Sequence, residues 1–243
     1  MKSIISLLFA VSSGLLVSLP ALAAGGGHLY PDDPANIKLT NTAALQHGAK
    51  LYVNYCLGCH TMQYQRWSRL AEDLQLSDDV VLDNLVFGDQ KIGDTMSNAM
   101  PAAYAANWFG TNPPDLTLEV RSRGEDWVYN YLRAFYKDES RPYGVNNTVF
   151  PDVGMPHVLA PLQGVQVLTD DLSAGGHLEL VEEGTLSAEE YDESIRDLVA
   201  FMSYAAEPMK LKRESLGLKV IIFLLLFGAI AWFLKKEYWK DIH

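Results

Sequence analysis

Apolar stretches lie at both ends of the chain. The first, Ile4 to Leu19, follows a positively charged Lys2 and precedes the small-x-small sequence Ala21-Leu22-Ala23. This order of charge, apolar run and small residues is typical of a secretory signal peptide. We predict that residues 1–23 form a signal peptide cleaved after Ala23, with an uncleaved membrane anchor as the alternative.

The second stretch, Leu218 to Leu234, carries one charge, Lys219. About 17 residues of helix rise about 25 Å, which with flanking residues spans a bilayer core of about 30 Å. Aromatic and lysine side chains close the stretch, as is common where a helix leaves a membrane: Trp232, Lys235, Lys236, Tyr238, Trp239 and Lys240. We predict a transmembrane anchor over residues 216–236 and a tail over 237–243. A buried core helix is the alternative.

Between the two ends, apolar residues recur mostly at helical spacing, which predicts a mainly α domain over residues 24–210. The best-defined helix is Ser187–Ala206, where Ser187 and Glu190 form a capping box ahead of an apolar stripe. The remaining predictions are helices at Thr42–Tyr55 (capped by Thr42), Thr61–Leu74, Ser77–Phe87 and Asp126–Tyr136, irregular structure over 88–115, and a hairpin of Val165–Leu168 with His177–Val181.

Gly48 lies inside the predicted helix Thr42–Tyr55. Glycine in a helix costs about 1 kcal/mol relative to alanine. Two explanations stay open: Gly48 lets another helix approach closely, or it is simply tolerated.

The two cysteines of the chain stand in one pentapeptide, Cys56-Leu57-Gly58-Cys59-His60. Cys-x-x-Cys-His is the attachment motif of a c-type haem. The spacing lets both thiols add to the vinyl groups at one edge of the porphyrin, and it places the next imidazole under the ring to bind iron. We predict that Cys56 and Cys59 are thioether anchors and that His60 is an axial ligand.

Cys-x-x-Cys also occurs as a redox dithiol or as half of a zinc site. A zinc site takes about four ligands, and no other cysteine exists to complete a thiolate-rich one. A redox dithiol has no need of a following histidine. Both observations favour haem.

A low-spin electron carrier uses a second axial ligand, usually methionine or histidine. Met155 lies in Gly154-Met155-Pro156, where glycine and proline predict a loop that presents the thioether from a fixed backbone. Met100, before a proline, has a similar context, and Met96 and His157 also remain. Met62 is disfavoured because it lies two residues from His60. Met202 is disfavoured because it lies on the apolar stripe, and Met209 because it lies at the membrane junction.

The net charge is −11, and acidic residues crowd positions 170–197. An acidic surface attracts a basic redox partner and raises its association rate. The alternative is a solvated face that only aids solubility. The residues concerned are Asp170, Asp171, Glu179, Glu182, Glu183, Glu189, Glu190, Asp192, Glu193 and Asp197.

Several motifs together resemble the cytochrome c1 family, the membrane-anchored haem subunits of cytochrome bc1 complexes. They cover nearly all of the chain after the signal peptide. The motifs are Cys56–His60 with Gly48 upstream, Asn112-Pro113-Pro114-Asp115-Leu116, Arg121-Ser122-Arg123-Gly124-Glu125-Asp126, Gly154-Met155-Pro156, and Ala205-Ala206-Glu207-Pro208 before the anchor.

The resemblance implies a cytochrome c-like haem domain with long loop insertions, one covalent haem c, Met155 as distal ligand, and Arg121 near a haem propionate. Trp127 stands where relatives often have tyrosine, which puts a phenol-to-propionate hydrogen bond in doubt. The partners it implies are cytochrome b, a Rieske iron–sulfur subunit, a soluble cytochrome c and membrane lipid; we expect no nucleic acid. The place it implies is a bacterial inner membrane, with the haem domain in the periplasm, since c-type haem is attached outside the cytoplasm.

Electron transfer between the iron–sulfur subunit and soluble cytochrome c is therefore the expected function, within an oxidoreductase complex and without bond chemistry by this chain. Two alternatives remain. A haem enzyme such as a peroxidase would lack the methionine ligand and bind cyanide readily. A stand-alone tethered carrier, or a subunit of another complex, would purify without cytochrome b.

Overall fold

A computed structural model describes residues 32–169 and 177–240, so the predicted signal peptide lies outside the described residues. The helices are α1 (Thr42–Tyr55), α2 (Trp67–Asp73), α3 (Asp78–Asn84), α4 (Ala102–Phe109), α5 (Glu119–Arg123), α6 (Glu125–Arg133), α7 (Ala160–Gln163), α8 (Ala188–Ala206) and α9 (Lys210–Tyr238). The strands are β1 (Met62–Arg66), β2 (Thr95–Met96), β3 (Phe135–Lys137), β4 (Val145–Asn147), β5 (Gly164–Leu168) and β6 (Leu178–Glu183), paired as three two-stranded antiparallel sheets. The mainly α class is confirmed.

Helices α1 and α8 form the most extensive helix–helix contact, and they cross at Gly48. A Cβ at this position would overlap the backbone carbonyl of Asp197 and the Cβ of Phe201. Next to the crossing, the rings of Tyr52 and Phe201 lie 5.8 Å apart. Close helix approach is therefore the correct explanation for Gly48, since glycine alone lets the two backbones meet.

Both of these helices are confirmed, with one change at a cap. In α8 the Ser187 hydroxyl accepts from the Glu190 amide at 3.3 Å, while the Glu190 carboxylate accepts from the Ser187 amide at 2.9 Å. In α1 the cap is Asn41, whose side chain accepts from the Ala44 amide at 3.3 Å. The prediction of Thr42 as cap is wrong by one position, because Thr42 is already helical.

The segment after the Cys-x-x-Cys-His motif differs from the predicted Thr61–Leu74 helix. It begins as strand β1, in which Met62 pairs with Met96 of β2, and becomes helical only at Trp67. The Asp115 carboxylate accepts from the Thr61 hydroxyl and the Gln63 amide, each at 2.7 Å. These contacts come from residues about 50 positions away, so local periodicity could not indicate them.

Residues 88–115 are not wholly irregular, since they contain β2 and helix α4. Helix α4 ends at Phe109, and the following cap residue, Gly110, has a left-handed φ of 74°. Among its residues, Tyr104 and Trp108 are exposed, so no buried stripe marks the helix in sequence. The predicted Asp126–Tyr136 helix is also shorter than expected, because Phe135 belongs to strand β3, which pairs with β4.

The predicted hairpin is confirmed as β5 and β6, with Val167 opposite Glu179. It follows short helix α7 and leads into α8. The helix prediction at Ser77–Phe87 is confirmed in part, since α3 covers Asp78–Asn84 with Ser77 as its cap.

Helix α9 has 29 residues, an 18-residue window of mean hydropathy 2.4, and none of that window buried. It is long and apolar enough to cross a membrane and includes the predicted span 216–236. Only residues 207–209 separate it from α8.

Candidate functional site

An apolar cavity of about 300 Å³ lies between the end of α1, helix α6, helix α8 and the loop after β4. All of the predicted site residues except Arg121 line it. Its wall consists mainly of Tyr55, Cys56, Cys59, His60, Phe109, Pro113, Pro114, Leu116, Arg123, Trp127, Val128, Tyr131, Leu132, Phe150, Val153, Met155, Val158, Leu198 and Met202.

The Cys-x-x-Cys-His motif forms a tight turn at the end of α1. The Cys56 amide donates to the Tyr52 carbonyl at 2.8 Å, and the His60 amide donates to the Cys56 carbonyl at 2.8 Å. This turn brings both thiols and the imidazole to the same cavity. A single cofactor could therefore bond covalently to both thiols and contact the histidine at the same time.

The two thiols are free, and burial raises the pKa of Cys56 to about 12. A redox-active dithiol needs a lowered thiol pKa, because the thiolate is the nucleophile. Zinc is disfavoured as well: within residues 32–169 and 177–240, no three His, Cys, Asp or Glu side chains are grouped as metal ligands. The site thus fits thioether chemistry better than either alternative.

The His60 ring is oriented by one hydrogen bond. Its Nδ1 lies 2.8 Å from the Pro114 carbonyl oxygen, which only accepts, so Nδ1 carries the proton. Burial lowers the pKa of His60, and the bond to Pro114 opposes that shift. A neutral imidazole with a protonated Nδ1 leaves Nε2 free to bind a metal.

Asp115 fixes the backbone that carries Pro114. Burial raises the pKa of Asp115, but hydrogen bonds from Thr117, Thr61 and Gln63 outweigh it and leave the pKa below its usual value. The ionised carboxylate joins the segment after His60 to the segment that orients the His60 ring. This explains why a Pro-Pro-Asp sequence belongs to the site although it lies about 50 residues from the cysteines.

Among the described residues, two methionines reach the cavity, Met155 and Met202. Met155 comes from the loop after β4, and its Sδ lies 3.3 Å from the Tyr131 hydroxyl. Met202 projects from α8 and is 4% exposed. Neither Met96, which is fully buried in β2, nor Met100 lines the cavity. The structure therefore narrows the methionine candidates to a loop residue and a helix residue.

His157 is not among the residues that line the cavity. Its ring stacks on Phe135 at 4.7 Å with an interplanar angle of 2°. Burial lowers the pKa of His157 to about 4, so the ring is neutral near pH 7. The structure gives His157 a packing role, two residues after Met155.

The predicted cation Arg121 lies away from the cavity. Its side chain is 64% exposed, and its Nη1 lies 3.6 Å from a carboxylate oxygen of Glu207. Arg123 is the arginine that lines the cavity, with its guanidinium 4.4 Å from the centre of the Trp127 ring. The sequence resemblance implied Arg121 alone. Arg123 stands two positions further along helix α5, and this spacing turns its side chain to a different side of the helix.

Comparisons with known proteins concern the chain as a whole. A family model described as the Cytochrome C1 family matches residues 36–242. Cytochrome c1 of Allochromatium vinosum is 51% identical over 237 residues, covering 94% of this chain and 96% of the relative. The ammonia monooxygenase gamma subunit of Nitrosomonas europaea is 43% identical, with 92% and 94% covered.

More distant similarity extends to the mitochondrial cytochrome c1 heme protein of Saccharomyces cerevisiae, at 27% identity, with 82% of this chain and 67% of the relative covered. A solved chain of a hyperthermophilic respiratory complex III aligns over the whole of both chains with a TM-score of 0.48 and 15% identity. That structural likeness is too low to add to the sequence relationships.

Proposed function

The chain belongs to the cytochrome c1 family, and from this premise we propose that it carries single electrons from an iron–sulfur subunit to a soluble cytochrome c within a quinol–cytochrome c reductase. The family places the chain in respiratory electron transport with haem as its cofactor. The observation that supports the finer proposal is the meeting of Cys56, Cys59, His60 and Met155 on one apolar cavity.

In this proposal five residues of the cavity wall have separate roles. Cys56 and Cys59 hold one haem c through thioether bonds, His60 binds iron through Nε2, and Met155 binds from the loop. Arg123, rather than Arg121, faces a propionate, since it is the arginine at the cavity wall. When bound, the haem supplies reversible one-electron chemistry, and paired imidazole and thioether ligands favour the ferrous state and so a high potential.

Haem attachment is tested by Cys56→Ala, Cys59→Ala and the double variant. Denatured protein stained for haem peroxidase activity should show a weakened band in each single variant and none in the double variant. His60→Ala should keep a stained band but lose the low-spin spectrum. An undiminished band in the double variant would contradict covalent attachment through these residues.

The methionine ligand is tested by three matched variants: Met155→Leu, Met202→Leu and Met100→Leu. Only Met155→Leu should remove the weak near-infrared charge-transfer band of a methionine-ligated ferric haem and lower the potential. Met202→Leu keeps the apolar volume of the helix wall and should keep the band. Loss of the band in Met202→Leu alone would mean that Met202 of helix α8, and not Met155, is the methionine ligand.

The partners proposed for the chain are cytochrome b, a Rieske iron–sulfur subunit and membrane lipid. Electrons move through the assembled complex, so the oxidoreductase activity belongs to the complex and the chain alone is a carrier. Purification in mild detergent should yield a b-type cytochrome and an iron–sulfur protein in equal amounts with the chain.

A second candidate follows from the Nitrosomonas europaea relative, whose name is that of a monooxygenase subunit. The same purification separates the two functions. Other ammonia monooxygenase subunits in place of a b-type cytochrome would favour the second candidate, while the b-type cytochrome would favour the first.

Acidic residues before α8 are proposed to attract the soluble cytochrome c. In the described part of the chain, three exposed carboxylates on β6 have no structural role assigned to them: Glu179, Glu182 and Glu183. Others in the acidic region stabilise the fold, because Asp192 pairs with Arg133 at 2.6 Å, Asp197 pairs with His47 at 2.9 Å, and Glu190 caps α8. Asp170 and Asp171 lie outside the described residues.

The docking proposal is tested by changing Glu179, Glu182 and Glu183 together to glutamine. Electron transfer to soluble cytochrome c should slow, and its salt dependence should flatten, because the Debye length falls from about 30 Å at 0.01 M salt to about 8 Å at 0.15 M. The control removes the same charge elsewhere, with Glu72→Gln, Asp83→Asn and Asp89→Asn. Equal rates in the two triple variants would show that only net charge matters.

We propose that residues 1–23 are removed on export, that residues 24–210 lie in the periplasm and that residues 237–243 face the cytoplasm. The apolar helix α9 supports a single-pass anchor in the bacterial inner membrane. Protease added to intact spheroplasts should digest the haem domain and leave a small anchored fragment. Protection of the haem domain would reverse the proposed orientation.

A further inference from the structure

A phenol and a thioether meet inside the cavity. The Tyr131 hydroxyl lies 3.3 Å from the Sδ of Met155 and is its donor. A phenol is protonated at neutral pH, and a thioether sulfur is a weak acceptor. Among the described residues, the hydroxyl has this sulfur as its hydrogen-bond partner. The contact therefore joins a residue of helix α6 directly to the ligand proposed above.

The Tyr131 ring is held on two sides. Trp127, one turn earlier in α6, stacks on it at 5.1 Å with an interplanar angle of 8°. Phe135 meets it edge to face at 5.3 Å and 68°. Aromatic pairs in these arrangements stabilise a fixed ring orientation. The direction of the hydroxyl is thus set by packing rather than by the sulfur itself.

The loop that carries Met155 is tied to the same helix. The Asn147 side chain donates to the Tyr131 carbonyl at 2.8 Å, and its Oδ1 accepts from the amides of Val149 and Phe150 at 2.9 and 3.0 Å. Further along the loop, Arg141 donates to the carboxylate and the carbonyl of Asp152, each at 2.8 Å. The Tyr131 hydroxyl and the Met155 sulfur are therefore both held in place by the protein, independently of any bond to iron.

We propose that Tyr131 is a positioning residue for Met155: its phenol orients the thioether and raises the reduction potential of the haem. The inference rests on the proposed function, in which Met155 is the iron ligand. A donor on the sulfur withdraws electron density from it. The weaker thioether stabilises ferric iron less, so the ferrous state is favoured, which is how groups outside the ligand set tune a metal.

The test is a redox titration of the full-length haem protein carrying Tyr131→Phe, which keeps the ring and removes the donor. The equilibrium constant for reduction should fall about threefold, which is about 30 mV because a tenfold change is about 59 mV for one electron. The near-infrared charge-transfer band should move or weaken, and imidazole should displace the sulfur at lower concentration. Tyr131→Leu, as a second variant without a phenol, should also lower the potential.

Tyr129→Phe is the matched control, since it removes a phenol from the same helix. The Tyr129 hydroxyl accepts from Arg196 at 3.2 Å and does not line the cavity. Its potential and band should equal those of the wild type. The inference is overturned if Tyr131→Phe behaves like Tyr129→Phe while Met155→Leu loses the band. If Met155→Leu keeps the band, the proposed ligand is wrong and the inference falls with it.

Discussion

Helices α8 and α9 follow one another, separated by three residues, yet one is packed against the rest of the chain and the other is not. Helix α8 has one apolar face, which packs across α1 and forms one wall of the cavity through Leu198 and Met202. From Val220 to Leu234 helix α9 is apolar on all sides, and no residue of the helix is buried. Other parts of the same chain cover the apolar face of α8, whereas the apolar surface of α9 needs a covering from outside the chain.

This difference shows what an apolar pattern does and does not indicate. A stripe at helical spacing implies that the same chain supplies the covering surface. An apolar surface on all sides, long enough for a bilayer, implies lipid or other transmembrane helices. Changes to α9, to the packing of α8 and to the junction between them should therefore have unequal effects.

The largest effect is expected from removing α9. A chain ending at Lys210 should be exported, carry haem and appear in the soluble fraction, because α8 is capped and packed independently of α9. A chain ending at Tyr238 keeps the whole helix and should stay in the membrane. Fractionation followed by haem staining measures both. If the shorter chain remains in the membrane, then the signal segment is uncleaved or the haem domain has another membrane contact.

The next effect comes from the same substitution at two glycines. Gly48→Ala should destabilise the haem domain by about 3 kcal/mol, because its Cβ would overlap the backbone of α8 and force the helices apart. For a domain of this size, that is a fall of about 6–12 °C in Tm. Thermal unfolding followed through the Soret band in detergent measures the change.

Gly228→Ala in α9 is the control for Gly48→Ala. Nothing lies within 4 Å of a Cβ at Gly228, and alanine is the better helix former. The Tm should not fall. An equal loss in both variants would show that the crossing of α1 and α8 does not determine the result.

The sequence was most informative where the chemistry is local. Cys56, Cys59 and His60 were predicted from one pentapeptide, and the structure places all three on the same cavity. The cap of α8 was also predicted, because Ser187 and Glu190 lie within one turn. In both cases the decisive atoms are separated by fewer than about four residues, and a short motif carries the information.

Prediction from sequence was weakest where distant segments decide. The extended conformation of β1 depends on Asp115. That Arg123 lines the cavity and the predicted Arg121 does not depends on which side of α5 faces the cavity. The contact of Tyr131 with Met155 likewise joins two segments that no local pattern connects. Helix α4 was missed for a different reason, since its exposed aromatic residues give no buried stripe.

A smaller effect is expected from removing one methyl group from an isoleucine in α8 or in α9. Ile195 is 1% exposed in α8, so Ile195→Val should cost about 0.5–1.5 kcal/mol by leaving a small cavity. Ile222 in α9 is 51% exposed, and Ile222→Val should leave the Tm of the haem domain unchanged. Thermal unfolding of both variants tests this pair. A larger loss for Ile222→Val would mean that α9 packs against the haem domain.

The smallest effect is expected at the junction itself. Glu207 accepts from Arg213 at 2.6 Å and lies 3.6 Å from Arg121, so its carboxylate joins the start of α9 to α5. Both arginines are more than 60% exposed, and exposed pairs contribute about 0.2–1 kcal/mol. Glu207→Gln should therefore lower the Tm by at most about 4 °C in dilute salt. The difference should vanish near 1 M salt, where the Debye length is about 3 Å.

Glu237→Gln, at the far end of α9, removes a pair with Lys240 and should change nothing at either salt concentration. A large loss for Glu207→Gln that persists in high salt would instead mean that the junction is rigidly packed and that the two helices unfold as one unit.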